Sequence, residues 1–470
     1  MSIRVSVVIA AVAAAGCGDD GGAPFDAPVD TLIDAPADPR VLVVELSATV
    51  NRNVDLLFVL DDSPSMVDKQ TQLAANFPSF INVLTTFPDG LPDIHVGVVT
   101  TDVGTKGAID VTPGPAIGQI GNGGCSGTGD GGNLQTFGAM VTGTYISDLR
   151  QTNGTRTRNY NGDLATVFGA MARGAGAGGC GFEQPLAAMR RALDNNPQNA
   201  GFLRPAALLG VVFVTDEDDC TFKTSAMLGP ESAALGPLHS FRCTRFGVTC
   251  AVAGTTSDEM NEIGPKTGCK GSVDSGYMTD VAPYAAFLRQ LKADPRLVVV
   301  GSITGPSVPV AVELRPPPGS TTASSSLAPS CSYAGGQGLE TADPAVRLHA
   351  LLDQFPEATS RSSVCEQNVA DGLVDIARLV LRRLGMPCLG VTLADAAPEQ
   401  PGVQVDCSVE DVVGSTVTPI PACANNPTAP CWTLQADVAM CGFGDHLKLV
   451  VTRSQPPAPT TVTQMRCLLP

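Results

Sequence analysis

Short apolar runs recur along this chain, and segments with helical periodicity separate them. The runs DLLFVL (55–60), DIHVGVVT (93–100), ALLGVVFVT (207–215) and RLVVVGSI (296–303) have the length and composition of buried strands. Amphipathic stretches such as DGLVDIARLVLRRLG (371–385) place their apolar residues on one stripe, as helices that cover a sheet do. This alternation predicts an α/β fold, with a doubly wound, mainly parallel sheet and helices on both faces.

The charge balance excludes one class of partner. The 470 residues carry a formal net charge of −17. Binding of nucleic acid requires a basic face that neutralises phosphates, and electrostatic docking to anionic lipid requires a basic patch. We therefore expect no nucleic-acid partner, and we expect membrane attachment to use a lipid anchor rather than surface charge.

The first 17 residues, MSIRVSVVIAAVAAAGC, have the organisation of an export signal. Arg4 provides the positive start, an apolar stretch too short to span a bilayer follows, and the small residues AAG precede Cys17. The sequence AAGC resembles a bacterial lipobox, in which the cysteine is lipidated and becomes the mature N-terminus. Residues 1–17 are thus expected to be a lipoprotein signal peptide with Cys17 as the lipidation site. An ordinary cleaved signal with an incidental cysteine is the alternative.

Composition divides the rest of the chain into three parts. Residues 18–42 are rich in Pro, Asp and Ala, so they are expected to form a disordered acidic tether. Residues 43–386 hold the alternating strands and helices, with a Cys-rich insertion at 220–269 and a long exposed loop expected at 306–337. Residues 387–470 contain six cysteines and Pro turns, and are expected to form a small β-rich module supported by disulfides.

The cysteine count indicates an oxidising compartment. The chain has 15 cysteines, and setting Cys17 aside leaves 14, an even number that allows up to seven disulfides in an exported protein. No group of cysteines and histidines has the spacing of a zinc site. The disulfide candidates are Cys125, Cys180, Cys220, Cys243, Cys250, Cys269, Cys331, Cys365, Cys388, Cys407, Cys423, Cys431, Cys441 and Cys467.

The polar residues that follow the expected strand at 55–60 are spaced as ligands of a metal ion. Asp61, Ser63 and Ser65 occupy alternate positions in the sequence DDSPS, and a hard divalent cation prefers oxygen ligands of this kind. Sites in open parallel sheets form beyond the carboxyl ends of the strands, so the polar residues after Leu60 and after Thr215 are expected to converge. The alternative for the two serines is capping of the helix that follows, since serine is favoured at helix N-termini.

The DxSxS pattern at 61–65, followed by a helix, resembles the metal-ion-dependent adhesion site of von Willebrand factor type A (vWA) domains. The sequence VVFVTDEDDC (211–220) is similar to a later strand of that family, which ends in a site aspartate. The resemblance covers residues 43–385 with insertions, and it implies a vWA-like, Rossmann-related sheet. It also implies a bound Mg²⁺, or Mn²⁺ or Ca²⁺, held by Asp61, Ser63, Ser65 and Asp216.

One position departs from the family pattern. The family has a threonine in a Gly-containing loop before a helix. When that helix is aligned at Leu186, Cys180 occupies the threonine position. A thiol is a poor ligand for Mg²⁺, and an exported cysteine is expected in a disulfide. Glu183 is close enough in sequence to supply an oxygen instead, and Asp102 either lies at the rim of the site or is a turn residue. The three acids that follow Asp216 are expected to be solvated in a loop.

On this resemblance the protein is expected to be an envelope-anchored binding or adhesion lipoprotein of vWA type. Its cation would accept an acidic side chain from a protein partner, and the lipid on Cys17 would attach it to the bacterial envelope, at the outer membrane or the cell surface. The alternative is a structural or scaffold lipoprotein with a degenerate, metal-free site, which Cys180 favours. The sequence has no GxSxG, HExxH or P-loop pattern, so the chain is not expected to be an enzyme.

Overall fold

The computed structural model of the protein describes residues 40–48, 51–316, 321–336, 338–366, 368–389, 391–399, 404–438, 441, 444–458 and 460–470. The expected signal peptide, Cys17 and nearly all of the expected tether lie outside the described residues. Within the described ranges, no helix combines the length and the apolar character needed to cross a membrane.

The strands and helices are numbered in chain order. The strands are β1 (Val41–Ser47), β2 (Asn53–Leu60), β3 (Asp93–Thr100), β4 (Ile146–Arg150), β5 (Arg156–Arg158), β6 (Leu208–Val214), β7 (Val248–Val252), β8 (Gly264–Gly271), β9 (Val298–Thr304), β10 (Val310–Arg315), β11 (Ser324–Leu327), β12 (Cys331–Gly335), β13 (Gly338–Ala342), β14 (Thr359–Ser363), β15 (Cys407–Val413), β16 (Thr416–Ile420), β17 (Cys431–Ala436), β18 (Leu447–Thr452) and β19 (Val462–Leu468). The α-helices are α1 (Val67–Leu84), α2 (Leu164–Gly174), α3 (Pro185–Leu193), α4 (Phe241–Gly247), α5 (Ser257–Met260), α6 (Ala282–Gln290), α7 (Val346–Leu352) and α8 (Ala370–Arg383).

A sheet of seven strands forms the centre of the molecule, in the order β14-β9-β6-β2-β3-β4-β5. The strands from β14 to β3 all run parallel, and β4 and β5 add an antiparallel edge. Consecutive side chains of β2 from Val54 to Leu60 are buried, so both faces of the sheet are covered. The expectation of a mixed α/β fold with a mainly parallel sheet is confirmed.

Two groups of helices pack on this sheet. Helix α1 contacts both α2 and α8, while α3 contacts β2, β3 and α6. Phe58 of β2 packs against Phe77, Phe80 and Phe168 of the first group, with ring centroids 4.7–6.2 Å apart. Helix α1 continues through Pro78, and this proline lies on the exposed side of the helix.

The order of the strands determines where polar residues meet. From β2 the chain continues to β3 on one side, and the later strand β6 pairs on the other side. The carboxyl ends of β2, β3 and β6 therefore lie next to one another at the point where the strand order reverses. In doubly wound sheets this is the usual position of a ligand site.

The chain after Met386 is rich in strands and disulfides, as expected. It forms a sheet in the order β1-β19-β15-β16 and a ribbon of β17 and β18, with the disulfides Cys388–Cys441, Cys407–Cys467 and Cys423–Cys431. Trp432 and Met465 are buried in its core. Strand β1 pairs with β19, so residues 41–47 belong to this sheet. Residues 41 and 42 fall in the range expected for the tether, and residues 43–47 in the range expected for the larger part.

The expectation of a long exposed loop at 306–337 is wrong. Strand β10 pairs with β8 and β11, and Val310, Val312 and Leu327 are buried in a separate small core. The alternation of apolar and polar side chains in β10 explains this strand, and the prolines at 316–318 come after it rather than within it. Four more disulfides support the insertions: Cys125–Cys180, Cys220–Cys243, Cys250–Cys269 and Cys331–Cys365.

Candidate functional site

The residues that follow β2, β3 and β6 converge at one edge of the central sheet. The backbone N–H of Asp61 donates to the carbonyl of Val214, and that of Thr101 donates to the carbonyl of Leu60, both at 3.0 Å. These hydrogen bonds extend the parallel ladder by one residue beyond the strands. The backbone at Asp61 and at Thr101 is thus positioned by the sheet.

Asp61 lies at the centre of this edge and is fully buried. One carboxylate oxygen, Oδ1, accepts from the backbone N–H of Ser63 at 2.8 Å, and Oδ2 accepts from the hydroxyl of Thr215 at 2.6 Å. Burial, followed by repulsion from Asp216, raises the pKa of Asp61 to about 7. A cation at this position would favour the ionised carboxylate, so the environment of Asp61 is suited to a positive ligand.

The two serines face the site rather than the helix. The Oγ of Ser63 lies 3.0 Å from the Oγ of Ser65, and the hydroxyl of Ser65 donates to Oδ1 of Asp216 at 3.0 Å. A 3-10 turn, Pro64–Met66, leads into α1, and Ser63 at its N-cap position makes no capping hydrogen bond with its side chain. The capping alternative is therefore wrong for Ser63. The serine oxygens and Asp216 form one connected group.

Asp216 is paired with a lysine that the sequence did not single out. The Nζ of Lys69 lies 2.9 Å from Oδ2 of Asp216 and 2.8 Å from a carboxylate oxygen of Glu340 on β13, and it donates to the carbonyl of Ser65 at 3.1 Å. Burial lowers the pKa of Lys69, but the two carboxylates outweigh it and the pKa is raised. The ammonium stays charged, so the site already contains one positive charge. Lys69 stands four residues after Ser65, which is about one helical turn. This spacing is the only feature of the sequence that indicates Lys69 lies near the site.

Glu183 and Asp62 extend the acidic character of the site. Glu183 is fully buried and one of its oxygens accepts from the hydroxyl of Thr101, whereas Oε1 has no hydrogen-bond partner. Oδ1 of Asp62 is also buried without a partner, and its carboxyl group lies against Gly179, where a Cβ atom would approach it to 2.3 Å. Burial is the main cause that raises the pKa of Glu183 well above its usual range and that of Asp62 to about 9. Both carboxyl groups lack the compensation that a buried charge requires.

Cys180 and Asp102 do not join the four predicted ligands. Cys180 is buried in its disulfide with Cys125, and this bond fixes the loop whose Gly179 N–H donates to the carbonyl of Asp62 at 2.8 Å. Oδ1 of Asp102 accepts from the N–H of Gly104 at 2.8 Å, which is the geometry of a turn residue.

Two of the acids expected to be solvated are buried instead. Asp218 accepts hydrogen bonds from the backbone N–H groups of Arg347 and Leu348 and so caps the start of α7. Asp219 is fully buried, with a carboxylate oxygen 2.9 Å from Nη2 of Arg347. The expectation that these acids are solvated is wrong because their partner, Arg347, is distant in sequence. No local pattern indicates that Arg347 packs against the end of β6.

The donor set fits a hard divalent cation. Asp61, Ser63, Ser65 and Asp216 offer carboxylate and hydroxyl oxygens, which Mg²⁺, Mn²⁺ and Ca²⁺ accept. In the part of the chain that the structure describes, no three or more His, Cys, Asp or Glu side chains are grouped so as to hold a metal ion. Two of the four predicted ligands are serines, so the candidate site depends on hydroxyl oxygens as much as on carboxylates.

We expect the substitution Lys69→Met to strengthen binding of Mg²⁺. The ammonium group lies 2.9 Å from Asp216, so it repels a second cation at the same carboxylate and its removal should improve the affinity about tenfold. Isothermal titration calorimetry measures the change. Lys266→Met is the matched control, because Lys266 is also buried but donates to the carbonyls of Glu259 and Glu262. An affinity of the Lys69 variant equal to or below that of the wild type would contradict the expected repulsion.

Comparison with known proteins gives no family. No protein-family model matches the chain, and no curated protein matches it. Among solved structures, the pilus adhesin RrgA from Streptococcus pneumoniae is similar with a TM-score of 0.21 and 9% sequence identity, over 91% of this chain and 59% of that chain. The chain thus spans 59% of the length of the adhesin. A TM-score this low does not establish a common fold, so the candidate site rests on its own geometry.

Proposed function

We propose that the protein binds a protein partner at the carboxyl end of its central sheet through a divalent cation, in the manner of a vWA-type adhesion domain. The observation that carries the proposal is the connected group of Ser63, Ser65 and Asp216 beside the buried carboxylate of Asp61. These four side chains would hold the ion, with Mg²⁺ as the first choice and Mn²⁺ or Ca²⁺ as alternatives. When bound, the ion supplies a coordination position for an acidic side chain of the partner.

Two residues beside the four proposed ligands, Cys180 and Glu183, determine whether the chain supplies a further oxygen to the cation. The disulfide between Cys125 and Cys180 fixes the loop at the threonine position, so that loop supplies no hydroxyl oxygen. We propose Glu183, which has an unpartnered carboxyl oxygen, as a further oxygen ligand of the cation. We infer a binding protein rather than an enzyme, because the sequence has no GxSxG, HExxH or P-loop pattern.

The compartment follows from the disulfides. The described residues contain seven disulfides, which fit an extracellular or surface protein. We propose that lipidation of Cys17 anchors the protein to the cell envelope and that residues 18–42 act as the tether. Mass spectrometry of the N-terminal peptide from the native host measures this, and an unlipidated cysteine would contradict it.

A second candidate function is a scaffold protein of the envelope with a metal-free site. Lys69 favours it, because its ammonium already compensates Asp216 and Glu340. On this reading the insertions and the C-terminal sheet make the contacts with partners.

Calorimetric titration of the purified protein with Mg²⁺, Mn²⁺ and Ca²⁺ separates the two candidates. The proposal predicts one cation per chain and a rise in the melting temperature, both reversed by EDTA. Absence of binding for all three cations at millimolar concentration would overturn the proposal in favour of the scaffold.

A further inference from the structure

Three asparagines of this chain are followed directly by glycine: Asn122, Asn153 and Asn161. In this setting the backbone nitrogen of the glycine can attack the side-chain carboxamide of the asparagine, because glycine has no Cβ to obstruct the approach. All three asparagines are exposed, so exposure does not distinguish them. They differ in how hydrogen bonds hold the carboxamide and the backbone that follows it.

At Asn153 both reacting groups are held. The backbone N–H of Gly154 donates to the carbonyl of Gln151 at 2.9 Å. Oδ1 of Asn153 accepts from the N–H and from the hydroxyl of Thr155, at 3.0 and 2.7 Å. These bonds close the turn between β4 and β5. The nitrogen of Gly154 therefore attacks only after the turn has opened, since its N–H must first leave the carbonyl that it pairs with.

The loop at Asn122 is also fixed. The backbone N–H groups of Asn122 and Gly124 both donate to the carbonyl of Gln119 at 3.0 Å. Between them, Gly123 forms a β-bridge with Cys180, which is itself fixed by its disulfide. The backbone on both sides of the Asn122–Gly123 bond is thus held in place, and the rearrangement needed for attack is restrained.

Asn161 lacks these restraints. Among the residues that the structure describes, neither the carboxamide of Asn161 nor the backbone N–H of Gly162 makes a hydrogen bond. Gly162 has a φ of 99°, and a Cβ atom added there would meet no other atom within 4 Å, so the space beside it is open. The N–H of Asn161 donates to the carbonyl of Met140 at 3.1 Å, but this bond does not engage either reacting group.

We propose that Asn161 is a site of spontaneous deamidation in the folded protein, whereas the fold protects Asn122 and Asn153. The nitrogen of Gly162 gives its proton to a base in the solvent and forms a bond to the carboxamide carbon of Asn161. The bond from that carbon to the side-chain nitrogen breaks, and the nitrogen takes a proton from solvent and leaves as ammonia. Water then opens the cyclic imide at one of its two carbonyls, which gives aspartate or isoaspartate. No oxidant or reductant takes part.

The position of Asn161 gives this reaction a structural consequence. On one side, Tyr160 is buried and its hydroxyl donates to Asp148 at 2.6 Å. On the other side, Asp163 caps α2 by accepting from the N–H of Thr166 at 3.0 Å. Each product adds one negative charge between these two fixed residues. The isoaspartate product also lengthens the backbone there by one methylene group, directly before the start of α2.

Incubation of the folded protein in water enriched in ¹⁸O, at pH 8 and 37 °C, tests the proposal. Opening of the imide places one oxygen from water in the product, so peptide mapping by mass spectrometry follows the reaction at each asparagine. Protein isoaspartyl methyltransferase is the probe for isoaspartate. We expect Asn161 to react at least about fivefold faster than Asn122 or Asn153, the factor that corresponds to one net hydrogen bond, and to give isoaspartate.

Two controls separate the effect of the fold from that of the sequence. In concentrated urea with the disulfides reduced, the three asparagines should react at similar rates, because each is followed by glycine. Asn161→Gln should remove the isoaspartate signal at this position, and a melting curve verifies that this variant folds. Absence of reaction at Asn161, or an equal or faster reaction at Asn122 or Asn153 in the folded protein, would overturn the proposal. The reaction involves no cation, so its outcome is independent of the proposed function.

Discussion

The substitution Asp61→Asn is expected to abolish binding of divalent cations while the fold stays intact. Asp61 is fully buried, and its pKa is raised by burial and by Asp216. Asparagine keeps the shape and can still accept from the N–H of Ser63, but it removes the charge that the cation requires. Second-shell substitutions at metal sites cost about 10–100-fold in affinity, so the loss of a direct ligand should cost at least on the order of 100-fold.

The metal-free variant should be as stable as the wild type or more stable. The substitution removes one of two buried carboxylates that repel each other, and no described cationic group pairs with Asp61. Calorimetry measures the affinity, and a melting curve in EDTA measures the stability. Asp62→Asn is the matched control: Asp62 is also buried and has a pKa raised to about 9, so it is neutral at pH 7 and the substitution should leave affinity nearly unchanged. Wild-type affinity in the Asp61 variant would contradict the assignment of ligands.

The substitution Arg347→Met is expected to destabilise the protein by roughly 3–5 kcal/mol. The guanidinium of Arg347 is fully buried, pairs with Asp219 at 2.9 Å, and donates to the carbonyls of Gly247 and Thr279. Methionine would leave the carboxyl group of Asp219 buried without its cation. The insertion at 220–269, to which Gly247 belongs, would also lose this link to the end of β6.

Urea unfolding with the disulfides intact measures this loss. The double variant Arg347→Met, Asp219→Asn should recover part of it, because the unpaired charge is gone. Arg361→Met is the surface control; its partner Asp353 is exposed, and such pairs contribute about 0–1 kcal/mol. If the Arg347 and Arg361 variants unfolded at the same urea concentration, Arg347 would not hold the insertion in place.

The central sheet was predictable because its strands carry continuous apolar runs. Leu56 to Leu60 and Leu208 to Val214 are buried on both faces, and this environment alone requires such a composition. Strand β10 was missed because the neighbouring prolines are typical of a loop. Its apolar and polar residues also alternate over too few positions to indicate a strand.

The convergence of these polar side chains was predictable from local spacing and from the order of the strands, and the charges around them were not. Asp61, Ser63 and Ser65 are adjacent in sequence, and the parallel order of β2 and β6 brings Asp216 to them. Lys69 was missed because its role depends on Glu340, which is 271 residues away. Long-range ion pairs leave no periodic pattern in the sequence.

Anomalous diffraction from crystals grown with Mn²⁺ is the most direct test of the central claim. We predict one anomalous peak beside the oxygens of Asp61, Ser63, Ser65 and Asp216, absent in crystals of the Asp61→Asn variant. Crystals in saturating Mn²⁺ without a peak there, with Lys69 still paired to Asp216, would contradict the cation site.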